Sequence, residues 1–302
     1  MELSYASRKL KYKKLTLKWK IFAFDFLVAL LLCGLYTFFH IALVKKWIAC
    51  DNKTMAFGIL ISVSIATLIV SITLTHFISY HVLSKEYNRF YFSLLQNEAY
   101  LEDITIFKNK PAIQDDKIRT LESYIGIKNI VIDDMFTIAS SVTFFDLLSL
   151  HYEKSNFGVM IKTKIDMVFS DIIQLRNDGR RPIMEYNQKK VKQYGVGSSY
   201  DIKEFAMYSS MNVDIYKIVE EGVVKDLYDF SSFCHCPLVV TIIEDNVFIF
   251  IDGWKMHLLH TLRERDEIDV IDVQIEALKM LQSYIEKINF NAQKKGEVDF
   301  NG

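Results

Sequence analysis

The side chains best suited to chemistry stand together in the tripeptide Cys234-His235-Cys236. If this segment is a strand, both thiols lie on one face and could supply two ligands to zinc. A structural zinc site needs two further ligands, and His257 and His260, one helical turn apart, are the candidates. The alternative is a pair of buried thiols, since cysteine is among the most frequently buried residues. We favour buried thiols, and no cofactor is predicted.

Two carboxylate pairs, Asp133-Asp134 and Glu220-Glu221, could act in acid–base chemistry or bind a cation. Neighbouring carboxylates at a turn or a helix end usually point to solvent, which is the interpretation favoured here. The Gly-containing segment 194–199 is not followed by the Lys-Ser/Thr of a phosphate-binding loop. The sequence also shows no Ser-His-Asp spacing and no nucleotide fingerprint. No catalytic residue is therefore predicted.

Two long apolar runs precede all of these residues. The first, Ile21 to Val44, has Asp25 as its single formal charge, and the second, Met55 to Tyr80, has none. A bilayer core of about 30 Å needs about 20 apolar residues in a helix, so each run is long enough to span it. Helices of a soluble core show a charged face over such a length, and a signal peptide has a shorter apolar region. We predict a transmembrane helical hairpin.

Basic residues give the orientation of this hairpin. Seven Lys and Arg residues precede the first run, and three stand in the connection 45–54. Because cytoplasmic flanks carry the excess of Lys and Arg, the N-terminus is predicted to be cytoplasmic. Two spans return the chain to the same side, so everything after Tyr80, including the C-terminus, is predicted to be cytoplasmic as well.

Small and polar side chains predict how the two spans pack. They recur along one helical face of each run: Asp25, Ala29, Cys33, Tyr36 and His40 in the first, and Ser64, Thr67, Ser71 and Thr75 in the second. Membrane helices associate through such residues. Matching depths in an antiparallel pair places Tyr36 with Ser64, Cys33 with Thr67, Ala29 with Ser71, and Asp25 with Thr75 or His76. Asp25 could instead reach water among the headgroups, and both alternatives stay open.

Charge separates the two parts of the chain. Residues 1–80 hold ten of the 36 Lys and Arg and three of the 37 Asp and Glu, which leaves 26 basic against 34 acidic residues beyond. An acidic domain is unsuited to nucleic acid, which requires a basic face. The basic start is expected to lie against anionic lipid headgroups. Four cysteines, two of them closely spaced, exclude a disulfide framework.

The sequence divides into five regions. They are a basic segment 1–20, the hairpin 21–80, a helical stem 81–110, an α+β domain 111–290 and a loose polar tail 291–302. Apolar residues in the stem follow a heptad pattern broken by Asn97, which could mediate a homodimer through residues 83–104. The alternative, an amphipathic helix packed on its own domain, is favoured because three heptads are few.

The region 111–290 reads as strands followed by a helix. Segments 127–132, 135–145 and 158–165 are rich in β-branched and aromatic residues, and the last alternates as a half-exposed strand with Lys162 and Lys164 outward. Two apolar runs, 238–243 and 247–251, flank Glu244-Asp245-Asn246 and predict a β-hairpin. A helix over 270–288 follows. The fold class is α+β, with a mainly antiparallel sheet and flanking helices.

The order of these elements resembles a bacterial membrane-protein family catalogued as a domain of unknown function, number three-one-three-seven. The resemblance rests on the segments 155–161, 204–210 and 239–249 and covers most of residues 10–290. Where the family usually continues its aromatic-Gly-aliphatic strand with Ala-Asp-Phe, this chain has Lys162 to Asp166. The resemblance implies a multi-pass bacterial inner-membrane protein. It implies no reaction, so no catalytic residue is carried over.

Two functions of different classes follow. The first is a membrane-anchored cytoplasmic module that binds a protein partner or a ligand without chemistry. The second is a membrane-tethered hydrolase or transferase with its site in the acidic domain. A deep pocket with converging ionisable groups would favour the enzyme, and a shallow acidic or apolar surface would favour the module.

Overall fold

The computed structural model describes residues 5–47, 53–110, 115–141, 143–153, 156–194, 205–210, 221–254 and 270–300. The chain forms two compact units, residues 1–95 with 258–271, and residues 96–257 with 272–302. The helices are α1 (Tyr5–Trp47), α2 (Lys53–Leu101), α3 (Asp115–Ile125), α4 (Glu221–Cys234) and α5 (Val270–Phe300). The strands are β1 (Thr105–Asn109), β2 (Val131–Ala139), β3 (Phe144–Tyr152), β4 (Asn156–Arg176), β5 (Glu185–Tyr186), β6 (Lys189–Lys190), β7 (Lys192–Tyr194), β8 (Ala206–Ser209) and β9 (Leu238–Asp252).

In the first unit, α1 and α2 contain the two predicted apolar runs. Both are long and apolar enough to cross a membrane, and within the apolar 18-residue segment of each helix almost no residue is buried in the protein. The basic start of the chain is part of α1, where Lys13 Nζ lies 2.6 Å from Glu86 Oε1 of α2. That ammonium lowers the pKa of Glu86. Lys14 is buried with its ammonium 6.0 Å from the centre of the Tyr87 ring. Both lysines therefore contact α2.

The predicted stem is helical only as far as Leu101. A left-handed residue, Asp103 with φ 59°, ends the helix, and Ile104 N–H donates to the carbonyl of Ala99 at 2.9 Å in a helix-terminating turn. Residues 105–109 form β1 in place of the last part of the stem. The buried side chains of this part of α2 are Tyr87, Tyr91, Leu94, Leu95 and Ala99. Asn97 is exposed, so the predicted heptad does not match the buried face.

The second unit is built around β4, a strand of 21 residues. β9 pairs antiparallel with β4 from Gly158 to Arg176, while β3 and β8 pair with its first and last parts. The strand order is β1-β2-β3-β4-β8-β7, with β9 also on β4, and β5 and β6 form a separate pair. The predicted α+β class, with two apolar N-terminal helices and an antiparallel sheet with flanking helices, is confirmed.

The predicted hairpin over residues 238–251 is wrong. These residues form the single strand β9, and the polar triplet between the apolar runs passes through a bulge. Glu244 has φ 52° and lies opposite Phe169, where the register with β4 shifts. The extra residues of this irregularity lie on β4, where the steps from Lys164 to Phe169 outnumber the opposing steps from Asn246 to Glu244, so β9 continues through the polar triplet without reversing its direction. Residues 247–251 are buried on both faces, as the sequence predicted.

The other turn and strand limits also differ in detail. The segment 135–145 is divided between β2 and β3 by a turn in which Ser140 N–H donates to the carbonyl of Thr143 at 2.9 Å. Residues 127–130 precede β2 rather than forming a strand. The tail is helical through Phe300, where a loose segment had been predicted. Two lysines of α5 form ion pairs with the rest of the unit. Lys279 Nζ lies 2.7 Å from Glu102 Oε2, and Lys287 forms a short ion pair with Asp226.

One face of the sheet forms a core under α3. The buried residues of this core come from α3, the segment after it and the three strands β3, β4 and β9: Leu121, Ile125, Ile127, Ile130, Leu148, Leu150, Tyr152, Met160, Val239, Phe248 and Phe250. Gly158 lies where β4 meets this core. A Cβ at that position would lie 2.7 Å from the Ile251 carbonyl oxygen and 2.8 Å from the Phe250 ring. The absence of a side chain at 158 therefore lets the aromatic ring reach the sheet.

Candidate functional site

A cavity of about 470 Å³ opens between α3 and this face of the sheet. We call it the α3 cleft. Its apolar lining is Leu121, Tyr124, Met135, Leu148, Met160, Ile243 and Phe248, and its polar lining is Asn109, Lys110, Thr120, Asp146, Lys162, Glu244 and Asn246. The volume lies in the range of about 300–1,000 Å³ found for small-molecule sites. The α3 cleft is therefore large enough for a small ligand.

Strand register explains why the lining is polar on one side and apolar on the other. Thr137, Asp146, Lys162 and Phe248 are successive cross-strand partners on β2, β3, β4 and β9. Two residues along each strand, Met135, Leu148, Met160 and Phe250 form the next such row. Because side chains two residues apart share a face, both rows line the same side of the sheet. A polar row thus borders an apolar floor.

Hydrogen bonds fix part of the polar row. Asn109 Nδ2 donates to Thr137 Oγ1 at 2.5 Å, and Thr137 Oγ1 donates to Asp146 Oδ1 at 2.8 Å. Thr137 is buried, so this relay also satisfies a hydroxyl that would be costly to leave unpaired. The relay holds the Asp146 carboxylate at the β2 side of the α3 cleft.

Lys162 is the half-buried cation of the α3 cleft. Its ammonium lies 6.0 Å from the centre of the Phe248 ring. Among the residues that the structure describes, no carboxylate forms an ion pair with it, although Asp146 is its cross-strand neighbour. The next lysine on the same face, Lys164, is exposed and lies 2.6 Å from Asp245 Oδ2. Lys162 therefore presents a positive charge beside an apolar floor, with the Asp245 carboxylate near enough to interact electrostatically but not in a direct ion pair with it.

Tyr124 forms the wall that α3 contributes. Its ring centre lies 5.7 Å from that of Phe248. Burial raises the pKa of the Tyr124 phenol, and the neighbouring Tyr186 and Glu244 raise it further. The phenol is therefore neutral at physiological pH and can donate a hydrogen bond. The Tyr124 carbonyl accepts from Gln174 Nε2 at 2.8 Å, which ties the end of α3 to the sheet.

The lining of the α3 cleft combines an apolar floor with ionisable groups. The side chains that line the α3 cleft include four ionisable residues besides Tyr124, namely Lys110, Asp146, Lys162 and Glu244. Their number meets the condition of two or more ionisable groups that would favour an enzyme. The hydroxyls of Thr120 and Tyr124 also line the α3 cleft. An apolar floor with a few polar groups at one side is typical of a site that binds a small molecule.

The thiols singled out in the sequence lie at the end of a helix. Cys234 is the last residue of α4, and His235 has the left-handed φ of 51° that ends it, so the strand geometry assumed for a metal site is wrong. Cys234 Sγ donates to the Phe230 carbonyl at 2.8 Å. Burial raises the pKa of Cys234 to about 12, with a further contribution from Cys236, and burial also raises the pKa of Cys236. Metal ligation requires thiolates. His257 and His260 lie outside the described residues.

The carboxylate pairs are divided among separate partners. Asp133 lies 2.7 Å from His151 Nδ1, and Asp134 lies 2.8 Å from Lys108 Nζ. Glu220 lies outside the described residues, and Glu221 is the first residue of α4. The described residues contain no group of three His, Cys, Asp or Glu arranged to hold a metal.

The packing residues of the first unit lie between α1 and α2. Cys33, Tyr36, Ser64 and Thr67 line one groove of about 370 Å³ between the helices. Asp25 Oδ2 lies 2.6 Å from His76 Nδ1. Ala29, Ser71 and Thr75 lie on the described parts of the same helices, and the His40 side chain is outside the description.

Sequence reasoning missed the α3 cleft. It placed Lys162 on the outward face of a half-exposed strand, because alternation along one strand does not reveal what covers each face. The available signal was that Leu148, Met160 and Phe250 also fall on that face. Only the register of β3, β4 and β9 shows that they surround Lys162.

Comparison with known proteins gives no family assignment. No protein-family model matches the chain, and no curated protein matches it. Among solved structures, the crystal structure of the mycobacterial trehalose monomycolate transport factor A, TtfA, is similar over 65% of this chain and 94% of that chain. The sequence identity is 8% and the TM-score is 0.35. The site is therefore interpreted from the residues of this chain alone.

Proposed function

We propose that this protein is a membrane-anchored binding module, in which α1 and α2 provide the anchor and the sheet unit binds a small ligand in the α3 cleft. The observation that carries the proposal is the α3 cleft itself, with an apolar floor and a few polar groups at one side. That composition is typical of sites that bind and orient a molecule.

The anchor is supported by the exposure of the apolar helices. A core helix of a soluble protein buries its apolar residues. The apolar 18-residue segments of α1 and α2 instead lie almost entirely on the protein surface. The excess of Lys and Arg before the first run supports a cytoplasmic N-terminus and C-terminus in a bacterial inner membrane. The family resemblance and a homodimer through residues 83–104 remain part of the proposal, and its protein partner is not specified.

Co-purification tests the binding function. The full chain is extracted from its native membranes, and small molecules released on denaturation are identified by mass spectrometry. Met135→Trp fills the α3 cleft from a half-buried position and should abolish the co-purified molecule. Met184→Trp is the matched control, because Met184 is 69% exposed and does not line the α3 cleft. Equal recovery from both folded variants would contradict the proposal.

A further inference from the structure

We infer that the ligand of the α3 cleft is an amphiphile with one anionic oxygen group, a carboxylate or a phosphate monoester, on an unbranched apolar chain. The anionic group lies on Lys162, and the chain lies on the floor formed by Met135, Leu148 and Met160. This inference rests on the proposed binding function and specifies the chemistry of its ligand.

The charge of the ligand follows from Lys162. A half-buried ammonium loses solvation, and burial of a charge is offset by a partner of opposite sign. Phe248 supplies a cation–π contact, but no described carboxylate supplies an ion pair. Asp146, the nearest carboxylate in the register, is held on the β2 side by the Thr137 hydroxyl. An anionic oxygen in the α3 cleft would complete the environment of Lys162.

The apolar part follows from the floor. Leu148 and Met160 are buried beneath the cavity, and Met135 is half-buried at its side. Methionine side chains are flexible and adapt to an irregular or elongated apolar surface. The floor formed by Met135, Leu148 and Met160 has no polar side chain among the described lining residues, so the part of the ligand that covers it carries no hydrogen-bonding group. A charged head beside a long apolar body is the amphiphile described above.

Titration calorimetry of the full chain in phosphatidylcholine nanodiscs tests the inference, with protein-free nanodiscs correcting for partition into lipid. The probes are decanoate, decyl phosphate, decanol and decyltrimethylammonium. Decanoate or decyl phosphate should bind at least about tenfold more tightly than decanol, since a charge-assisted contact contributes about 1.5–3 kcal/mol. Whichever of the two anions binds more tightly identifies the head group as carboxylate or phosphate. Equal binding of decanol or tighter binding of decyltrimethylammonium would overturn the inference.

Three substitutions locate the bound anion. Lys162→Gln should weaken anion binding about tenfold or more, whereas Lys164→Gln, the same change on the same face of β4, should alter it less than about twofold. Asp146→Asn should strengthen anion binding, because it removes a neighbouring negative charge and keeps an oxygen for Thr137. Equal effects of the two lysine variants would overturn the inference. If Lys162→Gln does not fold, the four probes on the unaltered protein decide alone.

Failure of this inference differs from failure of the binding function. If decanol or the cation binds best, and Met135→Trp blocks it, the α3 cleft is a binding site for another chemical class. If no probe binds and no molecule co-purifies, the binding function itself is contradicted.

Discussion

His76 Nδ1 lies 2.6 Å from Asp25 Oδ2, and this contact joins the two apolar helices at the depth that an antiparallel pairing requires. The same pairing places Lys13 beside Glu86 nearer the N-terminus of α1, and Cys33 and Tyr36 beside Ser64 and Thr67 farther along. Charged or polar residues within apolar spans generally face a partner helix and pair there. The contact therefore reports the register of the two helices.

The first prediction concerns the coupling of this pair. Asp25→Leu should destabilise the hairpin less when His76 is already leucine, because no polar partner is then left unpaired. The coupling energy should be about 0.6 kcal/mol, the average for hydrogen bonds between membrane helices. Unfolding of the four members of the double-mutant cycle in lipid bilayers or micelles measures it. Strictly additive effects would place Asp25 among the headgroups.

The second prediction concerns the side of the membrane on which the sheet unit lies. The native thiols Cys234 and Cys236 are poor reporters, because burial raises the pKa of both and an alkylating reagent needs the thiolate. Lys128→Cys places a thiol at an exposed position after α3. An impermeant reagent should label Cys50 on intact cells and should label the new thiol only after permeabilisation. Labelling of the new thiol on intact cells would invert the topology.

The third prediction concerns a buried ion pair. Arg176 and Asp178 side chains are 2% and 1% exposed, and the guanidinium donates to both Asp178 oxygens, from Nε at 2.9 Å and from Nη2 at 2.8 Å. Asp178→Ala leaves a buried charge unpaired and should lower the free energy of unfolding by about 3–5 kcal/mol. Asp133→Ala, which removes an exposed partner of His151, should cost at most about 1 kcal/mol. Chemical denaturation of the full chain compares them, and equal losses would contradict the assignment.

The fourth prediction concerns alkaline stability. Tyr152 donates a short hydrogen bond to Asp252, and burial, followed by this bond, raises the pKa of Tyr152 to about 12 from the ordinary value of 10.0. Its contribution to stability is fully present below pH 10 and is lost as pH rises toward 12, because the unfolded state then releases a proton that the folded state retains. Tyr152→Phe should show a smaller loss over this interval. Parallel pH profiles for both proteins would contradict the prediction.

The fifth prediction concerns Gly158. An alanine Cβ there would lie 2.7 Å from a carbonyl oxygen of β9, so Gly158→Ala should destabilise the sheet unit by about 1–3 kcal/mol through overpacking. Gly34→Ala is the control, because no atom lies within 4 Å of its Cβ position in α1. Alanine in a helix is favoured over glycine by about 0.5–1 kcal/mol, so this variant should not be destabilised. Thermal unfolding distinguishes the two.

Features that depend on composition and local periodicity could be predicted from the amino-acid sequence. Two apolar runs of more than 20 residues, with Asp25 as their one formal charge, predict two apolar helices whatever surrounds them. The steps of three and four between Asp25, Cys33 and Tyr36 also predicted which residues share a helical face. The buried stripe of α5, including Ile275, Leu278 and Leu281, follows from the same periodicity.

Features that depend on residues distant in the chain could not be predicted without the fold. The apolar runs beside Glu244 could form a hairpin or one bulged strand, and pairing with β4 along its length selected the single strand. Lys162 had the alternation of an outward lysine, but α3 covers that face and encloses it in a cavity. A strand's pattern gives two faces without saying what packs on either, so the α3 cleft arises only when β3, β4, β9 and α3 are brought together.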